Sequence, residues 1–219
     1  MQSPALADQN SRLEITARVI DPPLAALPSL RQPLNSGERR VLAWFLEILP
    51  IGWEIYIQPH LNGLRPDFVL LHPRCGIAVY EVKDWNLHGL DYFVDDDRHH
   101  PKLMGCKDGK TFSLAPHDPV AAIDRYKREI HGLYVPSLPA KSGFGAIVAG
   151  VIFPSALTRD VEDLLYPLRH AKGHTEFPNL YPVIGAELIE RQDEPPRELR
   201  RLVGLSAQAG TVDCSASWR

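Results

Sequence analysis

Hydrophobic and polar positions first form a regular pattern near residue 38, where they predict an amphipathic helix. Its inward-facing residues recur at helical spacing, at positions 38, 41, 42, 45, 48 and 49. Pro50 and Gly52 then end the segment. The stretch before this helix, residues 22–35, contains four prolines, which excludes a continuous helix there. We therefore predict an extended arm over residues 1–33, with one short strand at residues 13–20.

Two β-rich runs follow and are the most regular part of the chain. They span residues 67–71 and 77–83, and turn-like residues 72–76 separate them. A short alternating strand at residues 53–58 precedes them. Both runs are apolar on both faces, which is typical of central strands that other elements cover on each side. The pattern thus predicts a buried hairpin.

The next segment is weakly patterned until a second helix begins. Residues 95–100 are predicted to be a solvated loop and residues 105–109 a turn. Asp118 then provides an N-cap, and a proline occupies the first helical position. The predicted buried stripe of this helix consists of Ile123, Tyr126, Ile130 and Leu133.

The remaining elements alternate strand and helix. They are a buried strand over residues 145–153, a helix over 160–170 interrupted by Pro167, a strand over 181–184 and a helix over 196–205. The order α-β-β-β-α-β-α indicates an α/β sandwich around one mixed sheet. The domain is predicted to span residues 34–205, and residues 206–219, which lack a pattern, to form an unstructured tail.

Composition and charge narrow the function classes. Hydrophobic residues make up 44% of the chain and charged residues 23%, which excludes bulk disorder. No apolar run reaches the ~20 residues of a membrane span, so no membrane partner is expected. Residues 1–10 lack the features of a secretory signal. The net charge of −3 argues against a protein that coats nucleic acid by charge alone.

The cysteines give an expectation about location. Cys75, Cys106 and Cys214 are odd in number and widely spaced. They form neither a disulfide framework nor a zinc-binding pattern, and this favours a reducing, cytoplasmic environment.

Candidate chemistry is concentrated in the hairpin. If its turn centres on Arg74, Asp67 faces Glu81 at a Cβ distance of ~5 Å. Lys83 projects from the same side as Glu81, because residues two apart in a strand share a face. Two adjacent carboxylates repel each other unless a cation lies between them, and Mg²⁺ prefers oxygen ligands. Lys83 would then orient or activate a water that attacks a phosphodiester.

Simpler interpretations of these residues stay open. In these, Asp67 merely follows Pro66 at a strand edge, and Glu81 with Lys83 forms a weak surface ion pair. Glu38 lies on the inward stripe of the first helix, which makes it a third acidic candidate. It also lies three residues after Asn35, the spacing of a capping box.

The helix after Asp118 carries a weaker candidate for DNA binding. Its basic side chains and one tyrosine are candidate backbone contacts, namely Tyr126, Arg125, Lys127 and Arg128. Acidic residues intervene, among them Asp124, so a plain solvated helix face is an equally good interpretation.

Several of these segments resemble one known family. Gly37-Glu38, residues 65–77 and residues 80–85 are similar to the NERD (nuclease-related) domain of the PD-(D/E)xK nuclease superfamily. The similarity continues through Asp118-Pro119, Tyr126 and residues 151–154. It covers roughly residues 34–190.

The resemblance implies both a fold and an activity. The implied fold is a restriction-endonuclease-like α/β/α sandwich with a central mixed sheet. The implied activity is cleavage of DNA with Mg²⁺ or Mn²⁺. By residue, it implies that Glu38, Asp67, Glu81 and the Val82 carbonyl are metal ligands, and that Lys83 is the catalytic lysine.

The resemblance also implies partners, and one residue departs from the family pattern. It implies DNA, a helicase motor on the same gene product or another chain, and pairing into a homodimer. Relatives often carry a glutamine four residues before the helix tyrosine, where this chain has Ala122. The alternative function is therefore a catalytically weak or inactive nuclease-fold domain that binds DNA or docks a helicase.

Overall fold

A six-stranded mixed sheet forms the centre of the fold in the computed structural model. The structure describes residues 18–50, 52–72, 76–87, 89–96, 100–134 and 145–191. The described strands, which form two sheets, are β1 (Ile20–Asp21), β2 (Glu54–Ile57), β3 (Phe68–His72), β4 (Gly76–Val82), β5 (Asp91–Asp95), β6 (Lys102–Lys107), β7 (Lys110–Ser113), β8 (Ile147–Phe153) and β9 (Val183–Gly185). The described α-helices are α1 (Ser36–Ile48), α2 (Pro119–Glu129), α3 (Thr158–Ala171) and α4 (Ala186–Glu190). The central sheet has the strand order β1-β2-β3-β4-β8-β9.

Strands β3 and β4 form the central hairpin of this sheet, which confirms the prediction. Leu71 pairs with Ile77 and Phe68 with Tyr80, the register expected for a turn centred on Arg74. Strand β4 also pairs in parallel with β8, whose seven residues are all buried. Pairing on both edges and cover on both faces make this hairpin a fixed support for side chains at its end.

Helices cover both faces of the sheet. Helix α1 packs over one face, where Phe45 contacts Phe68 edge-on and Tyr80 at a tilted angle. Helices α2 and α3 pack over the other face, where Ile123 and Leu165 join the hydrophobic core. The predicted α/β sandwich with a central mixed sheet is confirmed.

The weakly patterned segment after β4 is more regular than predicted. Strands β5, β6 and β7 form a separate antiparallel sheet, and the turn lies at Asp108 and Gly109. Gly105 therefore lies in a strand, and the turn predicted over residues 105–109 was too long. A Cβ on Gly105 would lie 2.8 Å from the ring of Phe112. All four residues of β7 are exposed, so the pattern contained no buried stripe there.

Three further expectations are corrected. Leu133 is 56% exposed, because the chain leaves α2 through a π-helical turn at Ile130–Tyr134. Helix α3 continues through Pro167 without interruption. The last strand begins at residue 183, and α4, which was not predicted, follows it directly.

The predicted domain boundaries are only partly within the described residues. In the N-terminal arm, β1 pairs in parallel with β2, and Leu24–Ser29 form a 3-10 helix, so this part is not uniformly extended. Most of the predicted strand at 13–20, the helix at 196–205 and the tail lie outside the described residues. In the described part of the chain, no helix is long and apolar enough to cross a bilayer.

Candidate active site

An open cleft of about 440 Å³ lies where α1 begins and where β3 and β4 meet the loops at their ends. It is lined by Gln32, Asn35, Glu38, Gln58, Arg65, Asp67, Glu81, Val82, Lys83, Asp84 and Trp85. All five residues expected to bind a metal or assist catalysis are among them. The sequence-predicted set is therefore brought together in one place, although residues 38 and 81 belong to different elements.

Asp67 and Glu81 lie at the open end of the hairpin. Asp67 immediately precedes β3, and its Oδ2 accepts a hydrogen bond from the Val82 backbone N–H at 2.7 Å. Removal from water, together with the nearby carboxylate of Glu81, raises the pKa of Asp67 to about 8. The site thus favours a proton or a cation at this pair of carboxylates.

Glu81 accepts a hydrogen bond at each of its carboxylate oxygens. Lys83 Nζ donates to Oε1 at 2.8 Å, and the Tyr126 hydroxyl donates to Oε2 at 2.7 Å. Burial and the charge of Glu81 raise the pKa of Tyr126 far above its usual value. Lys83 Nζ also lies 5.8 Å from the centre of the Trp85 ring. Tyr126, predicted as a weak DNA contact, is instead buried behind the cleft and holds Glu81 in place.

Glu38 forms the capping box that its spacing allowed and also lines the cleft, where it stays a candidate metal ligand. It closes a capping box, because its backbone N–H donates to Asn35 Oδ1 at 2.8 Å and its Oε2 accepts from the Asn35 N–H at 3.0 Å. It is also 6% exposed and lines the cleft. Burial raises the pKa of Glu38, and the nearby Glu81 adds to that rise. Capping the helix is what points this carboxylate into the cleft.

Sequence reasoning gave no role to Gln58 or Arg65. Gln58 follows β2 with a left-handed backbone (φ +50°), and its buried amide reaches Glu38 Oε2 at 3.4 Å. Its Oε1 accepts from Arg65 Nη2 at 2.5 Å. A positive φ at a non-glycine residue is uncommon and is often found at functional sites. It depends on the tertiary fold, so the alternation of β2 could not have revealed it.

Asp84 is a third residue without a predicted role. Its carboxylate accepts hydrogen bonds from Ser36 Oγ at 2.7 Å, Gly37 N at 3.0 Å and Ser155 Oγ at 2.5 Å. The bond from Ser155, with those from Ser36 and Gly37, lowers the pKa of Asp84. A Cβ at Gly37 would lie 2.7 Å from Asp84 Cβ, so glycine is required for this approach. Asp84 thereby ties the start of α1, which carries Glu38, to the end of β4.

The predicted basic face of α2 is wrong at Lys127. This side chain is fully buried, with Nζ 4.4 Å from the centre of the Tyr181 ring, and burial lowers its pKa to about 8. Lys127 lies four residues after buried Ile123, so helical spacing turns it inward and away from solvent. Arg125 and Arg128 are exposed, and their contact with DNA stays a prediction.

The donor chemistry of the cleft fits a hard divalent cation. Mg²⁺ and Mn²⁺ prefer oxygen ligands, and the three predicted carboxylates with the Val82 carbonyl offer such atoms. Burial, together with the neighbouring carboxylates, raises the pKa of Asp67. Within the described ranges, no three His, Cys, Asp or Glu side chains are already arranged to hold a metal ion, so Glu38, Asp67 and Glu81 would have to move closer together to bind one. In Glu81, each oxygen accepts one hydrogen bond from a protein donor and keeps a second lone pair for a cation.

Comparison with known proteins gives one result. A family model described as NERD, nuclease-related domain, matches residues 34–154, which is more than half of the chain. The matched segment contains Glu38, Asp67, Glu81 and Lys83, and their order is consistent with the PD-(D/E)xK superfamily. No curated protein and no solved structure matches the chain significantly. The match ends at residue 154, whereas the motifs predicted a resemblance over residues 34–190. Because the match covers more than half of the sequence, the chain belongs to the family of nuclease-related (NERD) domains.

Proposed function

We propose that the protein is a nuclease that hydrolyses phosphodiester bonds in DNA with Mg²⁺ or Mn²⁺. The observation that carries this proposal is the convergence of three carboxylates and Lys83 in one open cleft. Burial and the charge of Glu81 raise the pKa of both Asp67 and Glu38, and groups perturbed in this way occur most often at functional sites. The nuclease-related family supports the same conclusion.

Each residue has a distinct part in the proposed reaction. Glu38, Asp67, Glu81 and the Val82 carbonyl would hold the ion. When bound, that ion supplies positive charge at the phosphoryl oxygens and lowers the pKa of a coordinated water. The hairpin holds Asp67 and Glu81 close together against their mutual repulsion.

Lys83 is the proposed partner of the attacking water. Its ammonium lies in the cleft beside Glu81 and Trp85, where it can donate a hydrogen bond to a nucleophile or to a phosphoryl oxygen. Tyr126 keeps Glu81 in a single orientation by holding its other oxygen. These two hydrogen bonds to Glu81 thereby fix the distance between this proposed metal ligand and Lys83.

One observation favours the alternative, a weak or inactive nuclease fold that binds DNA or docks a helicase. Ala122 stands where relatives often carry a glutamine, and it is packed into the hydrophobic core. No polar group is therefore supplied from that position to the cleft. The link to a helicase motor rests on the resemblance and belongs to the proposal.

Cleavage of supercoiled plasmid and of single-stranded DNA with Mg²⁺ or Mn²⁺ tests the proposal. Asp67→Asn and Lys83→Met should each lose more than about 100-fold in rate, as should the wild type with EDTA. Asp163→Asn and Lys102→Met make the same charge changes at exposed positions and should retain activity. DNA binding without cleavage, unaffected by Asp67→Asn or Lys83→Met, would establish the alternative.

A further inference from the structure

Arg65 is the cleft residue whose charge the proposed reaction leaves unused. Its guanidinium donates from Nη1 to Gln32 Oε1 at 3.2 Å and from Nη2 to Gln58 Oε1 at 2.5 Å. Both acceptors are neutral amide oxygens. The Nε group is buried and has no hydrogen-bond partner among the residues that the structure describes. Two amides therefore orient the guanidinium without neutralising it.

The charge balance of the cleft sets Arg65 apart from Lys83. Lys83 forms an ion pair with Glu81, whereas Arg65 forms none with any described residue. An arginine is always charged, and its planar group has five N–H donors that suit an oxyanion with two oxygens in a plane. Two of its nitrogens already donate to amides, and further hydrogens stay available for an anion that enters the cleft.

The position of Arg65 in the cleft indicates which anion it would bind. The Gln58 amide lies between Arg65 and Glu38, since it accepts from the first and donates to the second. The Gln58 amide thus links the guanidinium to Glu38, one of the proposed metal ligands. An anion bound by Arg65 would lie beside the reacting phosphate, where a nucleic acid strand carries its next phosphate group.

We propose that Arg65, oriented by Gln32 and Gln58, binds a backbone phosphate of DNA adjacent to the one that is cut. This inference rests on the proposed function, because it assumes that DNA occupies the cleft. It assigns Arg65 to substrate positioning and leaves hydrolysis to the carboxylates and Lys83. The contact carries no base information, since it is made to the backbone alone.

Salt-dependent DNA binding tests the contact without requiring cleavage. Affinity is measured by fluorescence anisotropy with a short fluorescein-labelled duplex and the matching single strand, in EDTA and in an Asp67→Asn background that keeps the DNA intact. Arg65→Gln should weaken binding about 10-fold and lower the slope of log affinity against log salt by about one unit. Arg65→Lys keeps the charge and should keep the slope. Arg159→Gln, at a side chain 89% exposed on α3, is the matched control and should change neither quantity.

Two further variants separate a phosphate contact from a structural role. Gln58→Ala removes one orienting amide and keeps the charge, so it should weaken binding and leave the slope unchanged. Arg65→Met provides a second neutral variant should Arg65→Gln perturb folding, which thermal unfolding reports. An Arg65→Gln protein with reduced affinity and an unchanged slope would overturn the proposal, because Arg65 would then only orient Gln58.

The outcomes also separate this inference from the proposed function. Metal-dependent plasmid cleavage by the wild type, combined with an unchanged slope in Arg65→Gln, overturns the phosphate contact and leaves the nuclease intact. A reduced slope in Arg65→Gln, combined with a wild type that never cuts DNA, supports the contact and overturns the nuclease. Absence of binding to either DNA overturns both.

Discussion

Helix α2 contributes residues to two clusters of titratable side chains whose electrostatics are opposite. In the cleft, Asp67 lies with Glu38 and Glu81, and burial together with the charge of Glu81 raises its pKa. In the second cluster, basic side chains surround the carboxylate of Asp124. It lies 2.6 Å from Arg128, 3.6 Å from Lys172 and 3.4 Å from His174. The hydrogen bond with His174 and the charges of Arg128 and Lys172 lower the pKa of Asp124.

The difference separates a stabilising network from a candidate site. Around Asp124, opposite charges lie together, and His174 is also stacked on Tyr181 with ring centres 3.6 Å apart. That arrangement strengthens the folded state. In the cleft, like charges are held together at a cost in folding free energy, which a bound cation would offset. Of the two clusters, only the cleft has the electrostatics expected of an active site.

The largest expected effect is that of Asp67→Asn, which should change activity and stability in opposite directions. Cleavage should fall more than about 100-fold, and the free energy of unfolding should rise by about 1–3 kcal/mol above pH 8. Because the pKa of Asp67 is raised on folding, wild-type stability decreases as pH rises from about 4 to about 8. The variant should lack this decrease in urea denaturation. A destabilised variant would contradict this account of the cleft.

Asp124→Asn should show the reverse behaviour. It should lower the free energy of unfolding by about 1–3 kcal/mol at pH 7, since it leaves the cations around it uncompensated, and cleavage should stay within about 2-fold. Because the pKa of Asp124 is lowered on folding, its contribution is present above the unfolded value of 3.8 and is lost as pH falls below it. Urea denaturation across that range measures this. A loss of cleavage as large as that of Asp67→Asn would remove the contrast.

Lys127→Met tests a buried charge beside the second cluster, because Lys127 Nζ lies over the Tyr181 ring on which His174 stacks. Burial lowers the pKa of Lys127 to about 8, so the unfolded chain binds a proton that the folded chain releases between about pH 8 and 10.5. Wild-type stability should therefore rise with pH in that window, and the variant should not show this rise. At pH 7 the variant should be more stable by about 1–2 kcal/mol. A variant that is less stable at pH 7 would show that the buried ammonium is stabilising.

The smallest effect is expected for Tyr126→Phe. It removes the hydroxyl that holds Glu81 Oε2 while keeping the packed ring. Cleavage should fall about 3- to 10-fold, and stability should change by less than about 1.5 kcal/mol. Tyr166→Phe, at a ring 55% exposed on α3, is the control and should be neutral. Equal rates for the two variants would show that Glu81 needs no orienting partner.

Local patterns predicted the part of the site that lies within one hairpin. Turn residues and two apolar runs were sufficient to set the register, so Asp67 and Glu81 were placed together correctly. Glu38 was predicted by helical spacing, and its two roles proved compatible because the capping box itself directs the carboxylate inward.

Contacts between elements distant in sequence could not be predicted in this way. Arg65 and Gln58 meet only after β2 and β3 pair, and the left-handed backbone at Gln58 has no sequence signal. Lys127 was misjudged because its charge was given more weight than its spacing from Ile123. The sheet of β5 to β7 was missed because its strands alternate weakly or are fully exposed.

The central claim, that the cleft carboxylates form a divalent-cation site, is tested most directly by calorimetric titration with Mn²⁺. The wild type and Asp124→Asn should each bind the ion at the cleft with similar affinity. Asp67→Asn should bind it at least about 10-fold more weakly, because one ligand and one negative charge are lost. Equal binding by Asp67→Asn and the wild type, or weaker binding by Asp124→Asn alone, would contradict the account.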